Sequence, residues 1–243
     1  MATLPADFTG YEEKLNENSD ELKGYHKEAV SALELGIGFL KEDDWINKTG
    51  KWKLEKKDEH EAVYSSQHKE FGKIFGLTAT IEFGGTLQDL FQEFYHNVES
   101  TPKWNPDVET YYKVMDVGQQ SDVVYAASFD ILGGLLSSRD LVSARCWRKI
   151  DENTFYTGNK AVVCDKVPPV KKKTRSETLF EVTIIRKTEK PNVYEFVLVN
   201  KTDLKGWLPK AVVDRVMHHM MINYIKSLRK HLQATYPLNN NNN

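Results

Sequence analysis

Apolar residues recur first at helical spacing. Ala29, Leu33, Ile37 and Leu40 share one stripe, with Lys27, Glu28, Glu34 and Lys41 between them, and this predicts an amphipathic helix. Gly36 and Gly38 weaken that helix and offer a place where another element can approach closely. From Trp52 to Phe83 the chain reads as strands. Leu77, Ala79, Ile81 and Phe83 alternate with Thr78, Thr80 and Glu82 at period two, and Gly84-Gly85 ends the run. A second helical stripe follows: Leu87, Leu90, Phe91, Phe94, Tyr95 and Val98. Thr86 is placed to cap its first turn, with Asp89 three residues on.

Pro102 and Pro106 break the chain, and short strand-like runs then dominate: 123–129, 141–147, 154–163, 178–186 and 193–200. Gly133-Gly134, Asp151-Glu152-Asn153, Pro168-Pro169 and Pro191-Asn192 mark the turns between them. Pro209 sits where proline suits the first turn of a helix. The stripe of that helix is Val213, Met217, Met220, Tyr224, Leu228 and Leu232. Helix, strands, helix, a long antiparallel run and one last helix make an α+β chain, not a doubly wound one. A curved antiparallel sheet with a long C-terminal helix across it leaves a space between them. Whether that space is packed or hollow decides the function.

Composition narrows the classes. The 243 residues suit one large domain, and 40% hydrophobic with 28% charged residues is ordinary for a globular core. Lys plus Arg number 33 and Asp plus Glu 35, and a net charge of -2 speaks against nucleic acid as a partner. Cys146 and Cys164 are expected as buried thiols of a reducing compartment. The acidic N-terminus has no apolar stretch of a secretory signal, and no run approaches the ~20 apolar residues that span a bilayer. The expectation is a cytoplasmic monomer that touches membranes transiently and peripherally. Residues 1–24 are expected to be a polar, loosely held segment, 25–237 the domain, and 238–243 an Asn-rich tail outside it.

Candidate chemistry is sparse. The seven histidines form no HExxH, and no Cys/His cluster appears, so no metal is expected. His218 and His219 are neighbours on a helix, about 100° apart, and cannot easily share an ion. No GxSxG, GxxxxGK[ST] or GxGxxG is present. The pairs Asp43-Asp44 and Asp151-Glu152 read as solvated turns rather than acid/base pairs. No catalytic residue and no cofactor is therefore expected, and the chain reads as a non-enzyme. The basic run 166–175, KVPPVKKKTR, has two open readings. It is a solvated loop, or it is drawn to an anionic membrane surface at ~1 kcal/mol per basic residue.

Three segments resemble a known family. Asp203-Leu-Lys-Gly-Trp-Leu-Pro-Lys210, followed by a helix ending Leu228-Arg-Lys-His-Leu232, resembles the end of START (StAR-related lipid transfer) domains of the steroidogenic acute regulatory protein group. Ser138-Arg139-Asp140-Leu-Val-Ser-Ala-Arg145 looks like that family's (P)RDFVxxR segment, and Trp104-Asn105-Pro106 also fits. The likeness runs in consistent order over residues 30–235. It implies a helix-grip fold around a hydrophobic tunnel holding one sterol or comparable lipid. A carotenoid or other apolar pigment is the alternative cargo. A lipid-gated interaction protein and an enzyme acting on a hydrophobic substrate are the readings from other classes.

The resemblance also places candidate residues. Strand alternation puts Leu141, Ser143, Arg145 and Trp147 on one face, and the family position of Arg145 points that face inward. Relatives pair this arginine with an acid thirteen residues before Arg139, where this chain has Ala126; Asp130 is the nearest candidate substitute, and a water network or an acceptor on the ligand are the alternatives. Val213, Met217, Met220 and Tyr224 are the expected cavity wall, joined by Leu132 and Leu135. The loop 131–138 resembles the family's Ω-loop gate, with Gly133 and Gly134 as hinge and Leu135 and Leu136 as apolar tip. Trp207 and Leu208 are expected to belong to the same gate, with Trp207 holding one end of the last helix, which starts near Leu208.

Overall fold

The computed structural model describes residues 13–42 and 51–238. Asp43-Asp44, the first twelve residues and the Asn tail from 239 lie outside them.

Ten strands form one sheet: β1 (Lys53–Lys57), β2 (Glu61–His68), β3 (Gly72–Glu82), β4 (Val108–Asp116), β5 (Ser121–Ser128), β6 (Arg139–Asp151), β7 (Thr154–Ala161), β8 (Thr174–Arg175), β9 (Glu177–Lys187) and β10 (Val193–Asp203). Their order is β1-β2-β3-β10-β9-β7-β6-β5-β4, antiparallel throughout, with short β8 pairing parallel to the start of β6. Irregularities in register at Leu54/Lys56, Val108/Thr110, Lys113/Met115, Lys149/Asp151 and Lys201/Thr202 bend the strands, and the sheet curves.

Two cores share this sheet, one on each face. On the outer face lies α1 (Asp20–Glu42), whose predicted stripe Ala29, Leu33, Ile37 and Leu40 is buried. It meets Val142, Ala144 and Cys146 of β6 and Phe180 and Val182 of β9. Contact is close because two glycines lie in it. A Cβ on Gly158 would sit 2.6 Å from Leu33 Cβ, and one on Gly36 2.4 Å from Val182 Cγ1. On the inner face lie α2 (Leu87–Phe91), α3 (Thr101–Trp104) and α4 (Lys210–Thr235). Thr86 and Asp89 form the full capping box expected of them. The stripe after Phe91 opens into a π turn, with Asn97 N–H on Gln92 O at 2.9 Å. Pro209 is the residue just before α4, one position earlier than a first-turn proline.

Residues before 25 also pack on the folded chain. Ser19 Oγ accepts from Leu22 N–H at 3.2 Å and starts α1, and Leu22 is buried. Leu15 forms a bridge to Gly118. The Glu13 carboxylate, almost wholly buried, accepts from Gln120 N–H (2.5 Å) and Ser121 Oγ (2.9 Å), beside His26 (3.3 Å) and Arg148 (3.6 Å). Residues 13–24, expected to be loose, are tied to the sheet at this end, because one buried acid accepts two bonds there and stands beside two basic groups. Cys146 and Cys164 are free and buried, as expected. Among the described residues no helix is long and apolar enough to cross a membrane.

Candidate functional site

Between the inner face of the sheet and α4 lies a cavity of about 270 Å³. The other end of the same inner core is solid: Phe83, Phe91, Phe196, Leu228 and Leu232 are fully buried, and Phe91 stacks on Phe155 at 4.1 Å. The hollow end is walled on α4 by Met217, Met220, Met221 and Tyr224, and on the sheet by Leu77, Ala126, Leu141 and Leu198. Its volume falls just short of the ~300–1,000 Å³ of typical small-molecule sites. Three methionines on one helix turn supply unbranched side chains that rearrange easily around a larger guest.

Several expected residues meet there and several do not. Arg145, Met217, Met220, Tyr224 and Leu136 line the cavity. Ser143 is fully buried on the same face, its hydroxyl without a partner among the described residues. Trp147 lies beyond the hollow end, 5.2 Å from Phe91 in the solid part of the core. Val213 packs against the inner core outside the lining, and Leu132 lies over an open groove on α4 with His219 and Asn223. Leu135 points outward and is 37% exposed, because the two glycines turn the loop so that Leu136 takes the inward place.

The acid facing Arg145 is Asp122, not Asp130. Asp122 stands directly across from Arg145 in the β5–β6 register. It accepts two bonds, from Arg145 Nε at 2.8 Å and Nη2 at 2.7 Å. The guanidinium also donates to Tyr95 O (3.1 Å) and Tyr111 Oη (3.2 Å) and lies 4.1 Å over the Tyr95 ring. Asp130 instead accepts from Ser138 N–H at 2.7 Å inside its own loop. Ala126, at the family's acid position, is a plain wall residue opposite Leu141.

The register carries this polar row further. Arg145 faces Asn159 of β7, Asn159 faces Glu181 of β9, and Glu181 faces Asn200 of β10. Five adjacent strands therefore present Asp122, Arg145, Asn159, Glu181 and Asn200 side by side on the inner face. Glu181 accepts from Asn159 Nδ2 (3.3 Å) and Asn200 Nδ2 (2.7 Å). Burial pushes its carboxyl above the usual carboxylate range, against the pull of the two amides and Arg145. Periodicity alone missed these residues. Phe180 and Val182 flank Glu181 with apolar bulk, so alternation does not say which face is which.

The rim is made by loops. Ile131 and Leu136 close the loop 130–138 with paired backbone bonds of 2.8 and 3.2 Å, and Gly133 and Gly134 take φ of 67° and 93°. Arg139 joins this loop to the segment before α4. Its guanidinium donates to Ser137 O and Oγ (2.6 and 2.7 Å), Leu204 O (2.8 Å) and Lys205 O (3.3 Å). Trp207, expected to hold the helix, is 92% exposed. Leu204, buried three residues earlier, occupies the anchoring place, which leaves the indole free to project. Leu208 packs partly against the inner core. Phe129, Leu135, Val170 and Trp207 are all exposed apolar residues of these loops, with exposed Lys171 and Lys172 beside Val170.

Comparison with known proteins places this geometry. The model of the START domain family matches residues 41–236. Steroidogenic acute regulatory protein, mitochondrial, from Bos taurus is 24% identical over 218 residues, covering 89% of this chain and 73% of that one. The Danio rerio protein of the same name is 27% identical over 212 residues, covering 86% and 71%. Among solved structures, human StAR-related lipid transfer protein 5 superposes with a TM-score of 0.72 at 19% identity, covering 85% of this chain and 98% of that one. Human STARD10 does so with a TM-score of 0.64 at 19% identity, covering 94% and 84%.

Proposed function

The chain belongs to the START domain family, and from that premise we propose that it carries one sterol-like apolar lipid in the inner cavity and moves it between membranes. The observation that carries this reading is the hollow end of an otherwise solid core, walled by a methionine stripe and rimmed by loops. Burying apolar area from water gives ~25 cal/mol per Å², so an enclosed apolar wall is what a sterol needs to cross water. Nothing in such carriage requires covalent chemistry.

The loops supply the other half of the task. Exposed Phe129, Leu135, Val170 and Trp207, with Lys171 and Lys172, make a rim suited to brief contact with an anionic bilayer. Within the basic run, Lys171 and Lys172 are proposed to meet the membrane, since Lys173 and Arg175 pair with Glu109 and Asp140. The protein is proposed to act as a cytoplasmic monomer. Transfer of labelled cholesterol from donor vesicles to acceptor vesicles tests the proposal. The expected result is transfer that rises with protein concentration and with the anionic lipid content of the vesicles. Transfer no faster than in buffer would contradict it.

A further inference from the structure

Arg145 is the conspicuous polar group of the cavity, but its bonding capacity is almost used up within the protein. Four of its five N–H groups are committed to Asp122, Tyr95 and Tyr111. The groups with capacity to spare stand one and three strands away. Asn159 and Asn200 both turn their Nδ2 toward Glu181, since a carboxylate offers only acceptors. That leaves Asn159 Oδ1 and Asn200 Oδ1 buried and without a partner among the described residues. Asn200 is 5% exposed, and both residues line the cavity. A buried acceptor left unmet is costly, so a guest that donates to it gains over one that does not.

We propose that Asn159 Oδ1 and Asn200 Oδ1, oriented by Glu181, form a seat for a hydroxyl group, so that the guest is an apolar alcohol. This rests on the carrier reading and names the ligand class of the same cavity. A hydroxyl donates to one amide oxygen. A ketone in the same place brings a third acceptor and repels the seat, and a hydrocarbon leaves both oxygens bare. Glu181 is a positioning residue: it fixes which end of each amide faces the guest.

The test compares three probes of one shape on the full chain: cholesterol, cholest-4-en-3-one and 5-cholestene, which lacks the oxygen. Cholesterol is expected to bind about tenfold or more tighter than either of the others. Equal affinity for all three would overturn the seat, with water meeting the amides instead, and would leave the carrier reading standing. Binding of none would overturn the carrier reading for sterols and the seat with it. Glu181→Gln provides a second measurement. A glutamine amide presents NH2 at one end and oxygen at the other, so the asparagine facing its nitrogen must turn its own oxygen toward residue 181 and present Nδ2 to the guest. The preference of cholesterol over the ketone is expected to fall about tenfold in this variant while the hydrocarbon binds as before. An unchanged preference would place the hydroxyl elsewhere.

Discussion

At the scale of single residues, position in the register outweighs residue type. Arg145 is legible as an inward arginine from alternation and its motif, but its acid partner is not. The strand reaches back to Ser121, two residues before its apolar run begins, and this brings Asp122 across from Arg145. Removing one partner of a buried ion pair costs ~3–5 kcal/mol, because the other charge is left uncompensated. Asp122→Leu and Arg145→Leu are each expected to lose about that much in urea denaturation, and the double variant to lose less than either. Additive losses would show that the two residues do not act as a pair. Glu13 gives a pH signature. Burial raises its carboxyl, but the bonds from His26, Gln120 and Ser121 and the charge of Arg148 prevail, and it is held below the ordinary 4.5. A carboxyl lowered on folding contributes stability that is present above about pH 4.5 and lost as pH falls through the folded value. Glu13→Gln is expected to cost about 2 kcal/mol at pH 7 and to flatten the acid loss of stability below pH 4.5. An identical acid profile in the variant would place the acid-sensitive group elsewhere.

At the scale of elements, the helices and strands follow their periodicity closely, and the departures have physical causes. The stripe of α4 is legible from Val213 to Leu232, but periodicity treats all its residues alike. In the folded chain Leu228 and Leu232 pack solidly, while Met217, Met220 and Tyr224 face the cavity. Which end is hollow depends on partners from β5 to β10, which no single stripe encodes. Met217→Trp tests the wall. The larger ring should occupy the hollow end, cost ~1–3 kcal/mol through overpacking, and reduce sterol loading at least tenfold while the melting transition stays cooperative. Normal loading would mean that the lipid lies against another face. The helix itself is tied along its length, by Arg229 to Glu61 (2.6 Å), His231 to Glu93 (2.8 Å) and Asn223 to Asp107 (2.6 Å). The loop 130–138 is bonded at its base, by Ser138 to Asp130, Ser128 and Lys173 and by Ser137 to Arg139, whereas at its tip a Cβ on Gly133 or Gly134 would meet nothing within 4 Å.

At the scale of the whole molecule, one curved sheet separates a solid outer core under α1 from an inner core that is solid at one end and hollow at the other. A guest held this way must enter through something that moves, and the tip of loop 130–138, with open space around Gly133 and Gly134, is the part of the rim with room to do so. Arg139 is its latch to the segment before α4. An engineered disulfide between this loop and α4 is expected to stop transfer between vesicles while lipid already bound stays in place. Transfer at the normal rate in the oxidised protein would mean another entrance. The central claim is the cargo, and it is tested most directly on the protein as purified from its source without added lipid. Organic extraction followed by mass spectrometry should release one apolar alcohol, close to one molecule per chain in the loaded fraction, and little from Met217→Trp. Recovery of no apolar molecule, or of equal amounts from the variant, would contradict the account.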